Sequence, residues 1–196
     1  MKYNFVLLMV VLACTIASPS LGKQVLERDS QNEFTVSRPA SWVRQERPMA
    51  AIRVMLGIEG DGYVGNCNIA VLPSSSTVKL TQVEVDEGAN KHPLPALFFK
   101  KALQYFASDV KVMNVRQVRR GPHYGHLVDY TYSYMSPSLN VRVYMRAELF
   151  SNSRPGYVYS FTCNTGALSL PEAQEAFLKE RESFELFSSS FRIEGP

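Results

Sequence analysis

The sequence predicts an α+β domain in which one antiparallel β-sheet of six to seven strands is flanked by helices. Three observations carry that expectation. Four strand-length segments, Val110 to Arg119, His123 to Met135, Asn140 to Phe150 and Gly156 to Thr165, follow one another with short breaks rich in proline, serine or glycine. Connections this short join antiparallel neighbours and leave no room for the crossover that parallel pairing needs. The helical segments stand outside this run rather than alternating with it, which separates an α+β plan from a βαβ one.

From the amino terminus, Phe34-Thr35-Val36-Ser37 is a short strand stopped by Arg38-Pro39, with Trp42 in a turn-like segment. Ala51 to Leu56 is a second strand, and Gly57 to Gly65, with glycines at 57, 60, 62 and 65, reads as a flexible connection. The strand around Cys67 ends at Pro73, and Ser74-Ser75-Ser76 turns the chain. A helix opens between Leu80 and Glu87, is interrupted at His92-Pro93-Leu94-Pro95 and resumes from Ala96 to Ala107. In that second piece Phe98, Ala102, Tyr105 and Phe106 form an apolar stripe, with Lys100, Lys101 and Gln104 outside it. The last helix, Leu170 to Phe187, begins at a capping box of Ser169 and Glu172 with Pro171 in its first turn. Its apolar stripe is Ala173, Ala176, Phe177, Phe184 and Phe187.

With 45% hydrophobic and 20% charged residues, the 196-residue chain is too apolar for a disordered protein and suits one compact domain. A net charge of +3 is too small for the basic footprint of a nucleic-acid binder. Residues 1–22 read as a secretory signal peptide: Lys2, an apolar run from Phe5 to Ala17, then Ser20 and Gly22 as the small residues before a cleavage site at Lys23. The run is too short to span a bilayer, which takes about 20 residues. Residues 23–196 are then a single domain in the periplasm or outside the cell, without a membrane span. The alternative reading makes Val11-Leu12-Ala13-Cys14 a lipoprotein box with a lipid anchor on Cys14.

Removing the signal leaves Cys67 and Cys163, an even number in an oxidising compartment. Cys67 shares the period-two face of Ile69 and Val71, and Cys163 that of Tyr159 and Phe161, so both thiols point with core residues. A disulfide is the expectation, and two buried free cysteines are its alternative.

Phe34-Thr35-Val36-Ser37-Arg38-Pro39-Ala40-Ser41-Trp42 and the closing helix ending in Ser189-Ser190-Phe191-Arg192 resemble the PsbP-like/DcrB-like superfamily. The resemblance covers nearly all of the chain after residue 22. It implies an antiparallel sheet flanked by helices, without enzymatic activity, serving as a binding or assembly module. No catalytic residues carry over from it, and the two cysteines are not a mark of that family.

The search for chemistry is mostly negative. His123 and His126 point to opposite faces of a strand and read as exposed turn histidines, not metal ligands. Glu59-Gly60-Asp61-Gly62 lacks the alternating oxygens of a calcium loop. Gly60-Asp61-Gly62-Tyr63-Val64-Gly65 spells a dinucleotide fingerprint, but without the parallel unit that gives the spelling meaning. No catalytic residue, metal or cofactor is expected. Tyr130, Tyr132 and Tyr134 share one strand face with His126 and Val128, and the next strand offers Arg142, Tyr144 and Arg146 on one face. Together these form a candidate binding surface, since tyrosine and arginine are enriched at hot spots; the alternative is that the tyrosines pack beneath a helix. The functional expectation is a non-catalytic binding or assembly protein of the bacterial envelope with a protein partner. The alternatives are a small exported hydrolase and a small-ligand carrier.

Overall fold

A computed structural model describes residues 23–31, 34–105, 107–120, 123–137 and 139–193, with the side chain of His123 left out. The signal peptide, the Cys14 alternative and Phe106 all fall outside the described residues. Among the described residues ten strands form two antiparallel sheets. The larger, of order β3-β4-β5-β9-β8-β7-β6, contains Val43–Arg44 (β3), Ile52–Gly60 (β4), Tyr63–Pro73 (β5), Ser108–Arg120 (β6), His123–Ser136 (β7), Val141–Arg154 (β8) and Tyr157–Ala167 (β9). The smaller, β1-β2-β10, joins Gln24–Asp29 (β1) and Phe34–Pro39 (β2) to Arg192–Ile193 (β10). The four-strand meander is therefore as the sequence predicts, while the small second sheet is an addition to the expected single one.

Helix α3 (Leu170–Ser189) and the small sheet cover one face of the large sheet. Its predicted stripe, Ala173, Ala176, Phe177, Phe184 and Phe187, is buried, and the Ser169–Glu172 capping box closes in both directions. Phe34, Phe150, Phe161, Phe184, Phe187 and Phe191 pack together in this layer with almost no solvent exposure. Trp42 lies 6.0 Å from Phe184 and 5.8 Å from Phe187, ring centre to ring centre. Arg38 donates from Nη1 to the Trp42 carbonyl at 2.6 Å and from Nε to the buried Glu27 at 2.7 Å. The Arg-Pro-x-x-Trp segment is thus a structural clasp that drives one indole between two turns of α3.

Helices α1 (Gln82–Lys91) and α2 (Ala96–Leu103) cover the opposite face over β6 to β8. The predicted α2 stripe is corrected. Phe99 and Leu103 turn inward, whereas Phe98 is half exposed and Tyr105 stands 87% exposed. The cause is the shortness of the helix: it starts after Pro95 and stops at Leu103, so a pair at i, i+4 suffices to seat it.

Gly57 to Gly65 is not a flexible connection. It is the β4–β5 hairpin, in which Gly60 pairs with Tyr63 and Gly62 takes φ 77°, a conformation that favours glycine. Gly65 serves close approach, since a Cβ there would stand 2.4 Å from the Asn164 carbonyl oxygen on β9. Cys67 and Cys163 are register partners on β5 and β9 with Cα atoms 4.1 Å apart, and they are disulfide-bonded. Both are buried in the α3 layer, as their strand faces predict.

Candidate functional site

Cross-strand partners in an antiparallel pair share a face, so register decides which side chains can meet. Along β7 and β8 the partners are Tyr130 with Ala147, Thr131 with Arg146, Tyr132 with Met145, Ser133 with Tyr144 and Met135 with Arg142. The tyrosines consequently lie on the α1/α2 side, and Arg142, Tyr144 and Arg146 on the α3 side. The single aromatic and basic surface read from the two strands does not exist; it is divided between the faces.

On the α1/α2 side Tyr130 is buried and stacks on half-buried Tyr132, with ring centres 5.8 Å apart and planes 20° from parallel. Burial pushes both phenols far above their ordinary range. Only Tyr134, near the end of the hairpin, is exposed. His126 is not a turn histidine: it is buried in β7, 5.8 Å from the Phe99 ring, and its Nε2 accepts the Leu94 N–H at 3.2 Å. Burial holds its pKa below 6.5. This residue anchors the α1–α2 connection to the sheet, so the tyrosine strand is mainly the floor beneath two helices.

On the α3 side β6, β7, β8 and the middle of α3 enclose an open cleft of about 370 Å³, lined by Arg116, Asp129, Arg146, Glu148, Phe177 and Arg181 among others. Asp129 Oδ1 accepts from Arg146 Nη2 at 2.6 Å, and both side chains are only 14% exposed. Arg146 also donates to the Tyr130 and Ala147 carbonyls, and its guanidinium carbon sits 4.4 Å from the centre of the Phe177 ring. Glu148 accepts from Arg120 Nη2 at 2.7 Å, while Arg120 Nη1 donates to Ser188 on α3. Desolvation still raises the Glu148 pKa, because taking the carboxylate out of water outweighs the neighbouring arginines. Arg116 is exposed at the mouth and makes no hydrogen bond to a described residue. Arg181 faces it from α3, exposed and loosely paired with Glu185 at 3.2 Å.

Arg146 is therefore the one predicted surface residue that lines the cleft, and it does so as a fixed wall. Arg142 and Tyr144 lie toward the hairpin end, where Arg142 pairs with exposed Asp109 at 2.6 Å. Hydrogen bonding from Ser133, and secondarily Arg142, lowers the Asp109 pKa. Arg116, Asp129, Glu148 and Arg181 were missed from the sequence. Their signal was present: Arg116, Val118 and Arg120 alternate on β6, and Arg142, Tyr144, Arg146 and Glu148 alternate on β8. Charges repeating at period two inside a strand mark a face that a helix covers incompletely. Among the described residues no group of three His, Cys, Asp or Glu converges as a metal site, and no helix is long and apolar enough to cross a membrane.

No family model matches the sequence, and no curated protein is significantly similar to it. Solved structures do match. Cyanobacterial PsbP (CyanoP) from Synechocystis sp. PCC 6803 aligns over 90% of this chain and 95% of its own, with 14% identity and a TM-score of 0.52. LpqN, involved in cell envelope biogenesis of Mycobacterium tuberculosis, aligns over 88% and 91% at 8% identity and TM-score 0.46. The Saccharomyces cerevisiae Ran-binding protein Mog1p aligns over 88% and 96% at 10% identity and TM-score 0.49. The chain has the PsbP-like fold, an α+β sandwich built on an antiparallel sheet. The resemblance carried by the Arg-Pro-x-x-Trp segment and the closing helix holds at the level of that fold.

Proposed function

We propose that the protein is a non-catalytic binding module of the bacterial cell envelope that docks an acidic protein partner at the α3-side cleft. The observation that carries this reading is the surplus of guanidinium charge there. Asp129 and Glu148 are already matched by Arg146 and Arg120, which leaves Arg116 without a hydrogen-bonded carboxylate among the described residues and Arg181 held only by exposed Glu185, both facing solvent across an open cleft that Phe177 also lines. Arginine beside an aromatic wall is the composition of an interface hot spot, and its planar fork suits carboxylates. The non-catalytic part of the reading draws on the same geometry. Both carboxylates lie in ion pairs that fix their position, and His126 is buried on the other side of the sheet. The carrier alternative would use the α1/α2 side, where the cavity of about 240 Å³ beneath α1 is below the roughly 300 Å³ at which ligand pockets begin and the one of about 350 Å³ beside the connection at residues 93–96 is open to solvent.

Affinity capture from the envelope fraction tests the reading, with wild type compared to the double variant Arg116→Glu/Arg181→Glu. Reversing two exposed charges is expected to leave the fold intact, as circular dichroism would verify, and to weaken capture of the specific partner at least about tenfold. Unchanged capture by the folded variant moves the interface elsewhere. Mass spectrometry of the protein recovered after export tests the compartment, with an amino terminus at Lys23 expected and a lipid-modified Cys14 refuting the soluble form.

A further inference from the structure

The strongest unexplained surface is at the opposite end of the large sheet from the β6–β7 turn. There β7 and β8 meet in a hairpin, α2 ends, β6 begins and β9 leaves for α3. The hairpin carries exposed Met135, Leu139 and Val141, with Tyr134 and Tyr144 behind them. Leu139 is held outward by its neighbour: Asn140 adopts φ 53° and donates its N–H to the Ser136 carbonyl at 2.8 Å, closing the turn. Beside the hairpin, Tyr105 lies just before the β6 residue Ser108 that pairs with Ser133, and Leu168 directly follows the β9 residue Ala167 that pairs with Tyr144. Leu139 and Leu168 are 69% and 68% exposed. Exposed apolar residues are ordinary when scattered, but these are brought by the strand register, from both faces of the hairpin, to one end of the domain, and such a concentration marks a contact surface.

The charge around this end is predominantly basic, its acidic residues Asp109 and Glu172 being held by Arg142 and by the Ser169 cap. Lys100 and Lys101 occupy the last turn of α2 and Lys111 lies near the start of β6, all exposed. An apolar projection carrying tyrosines and fringed by lysines has the chemistry of a lipid-water interface, where leucine and methionine enter the acyl boundary, phenols sit at headgroup level and ammonium groups meet anionic lipid.

We infer that this hairpin end is a membrane-contact surface selective for anionic bilayers, independent of the α3-side cleft. The bilayer, rather than a protein groove, is the committed occupant because the apolar groups come from chain turns at the tip of the domain and the surrounding charge complements phosphate.

Vesicle co-sedimentation tests it, using the protein recovered after export and vesicles of phosphatidylcholine alone or mixed with an equal part of phosphatidylglycerol. Binding to the anionic vesicles only, reduced by salt, is expected. Lys100→Glu/Lys101→Glu should lower the partition coefficient at least about twenty-five-fold, from roughly fivefold for each lysine charge removed at an anionic surface. Leu139→Ser should lower it without changing the salt dependence. Far-UV circular dichroism verifies the fold of both variants, whose changes are confined to exposed positions. No vesicle binding, or binding that both variants retain, overturns the inference. Dimerisation in light scattering that Leu139→Ser abolishes also overturns it, by showing a second copy on this surface. Partner capture at the cleft is expected to survive both variants, so the two sites fail or stand separately.

Discussion

Replacing Arg146 by alanine separates a structural arginine from the surface arginine that the strand pattern predicts. In the structure the substitution removes the 2.6 Å pairing with Asp129, two donations to main-chain carbonyls and the stacking on Phe177. It leaves Asp129 facing the cleft wall with its charge unmatched. Breaking a fully buried pair costs about 3 to 5 kcal/mol. At 14% exposure and beside an open cleft, part of that penalty is relieved by water, which brings the expected loss to about 2 to 4 kcal/mol. Arg142→Ala is the control, because its pairing with Asp109 is exposed and should contribute below about 1 kcal/mol. Urea denaturation followed by circular dichroism reads both. The double variant Arg146→Ala/Asp129→Ala should be more stable than the sum of the single losses by about 1 to 3 kcal/mol, since it removes the orphaned charge. A loss for Arg146→Ala below about 0.5 kcal/mol, or strict additivity in the cycle, refutes this account of the cleft wall.

Two further expectations follow from the core and the α1–α2 connection. Intact-mass analysis after alkylation under denaturing, non-reducing conditions should find Cys67 and Cys163 unmodified, and reduction of this link across 96 positions should cost roughly 4 to 5 kcal/mol in urea titrations on the chain-entropy account. His126 gives a signed pH dependence. Its folded-state pKa lies below 6.5, so below that pH the unfolded chain binds a proton that the folded chain refuses. Stability from this group is whole above pH 6.5 and declines, by at most about 1.4 kcal/mol per unit, as pH falls toward the folded pKa. Glu148, with its raised pKa, has the opposite slope above 4.5 but is common to wild type and variant. His126→Gln should therefore flatten the difference, and parallel stability profiles would contradict the buried, neutral histidine.

What the sequence made legible was local. The Ser169–Glu172 box and the spacing of Ala173, Ala176, Phe177, Phe184 and Phe187 are contained within one helix, and the structure reproduces them. Cys67 and Cys163 were readable because each lies among apolar residues on its own strand face. The small sheet was not readable. Strand β10 is two residues long and pairs with β2, so neither its length nor its neighbourhood gives a periodic signal. Strand β1 alternates only weakly, with Leu26 exposed and Glu27 buried by its arginines. The inward turn of Phe99 in place of Phe98 was not readable either, because an eight-residue helix leaves its phase ambiguous.

The functional surface turned on the parity of one connection. Four residues, Pro137 to Asn140, separate the paired Ser136 and Val141, and this length matches even-numbered positions of β7 with odd-numbered positions of β8. Tyrosines at 130, 132 and 134 and arginines at 142 and 146 are all even, so they emerge on opposite faces. A register shifted by one residue, with Ser136 opposite Asn140 across a three-residue connection, would bring even opposite even and create the mixed surface that the individual strands imply. Period two within a strand is a property of its own backbone, whereas agreement between strands depends on a turn whose conformation, with Asn140 at positive φ, has no periodic signature. The consequence is chemical: Arg146 is placed opposite Thr131 and beside Asp129, where it becomes a wall of the cleft, and the exposed guanidiniums of the cleft are those of Arg116 and Arg181, which no single strand pattern joins.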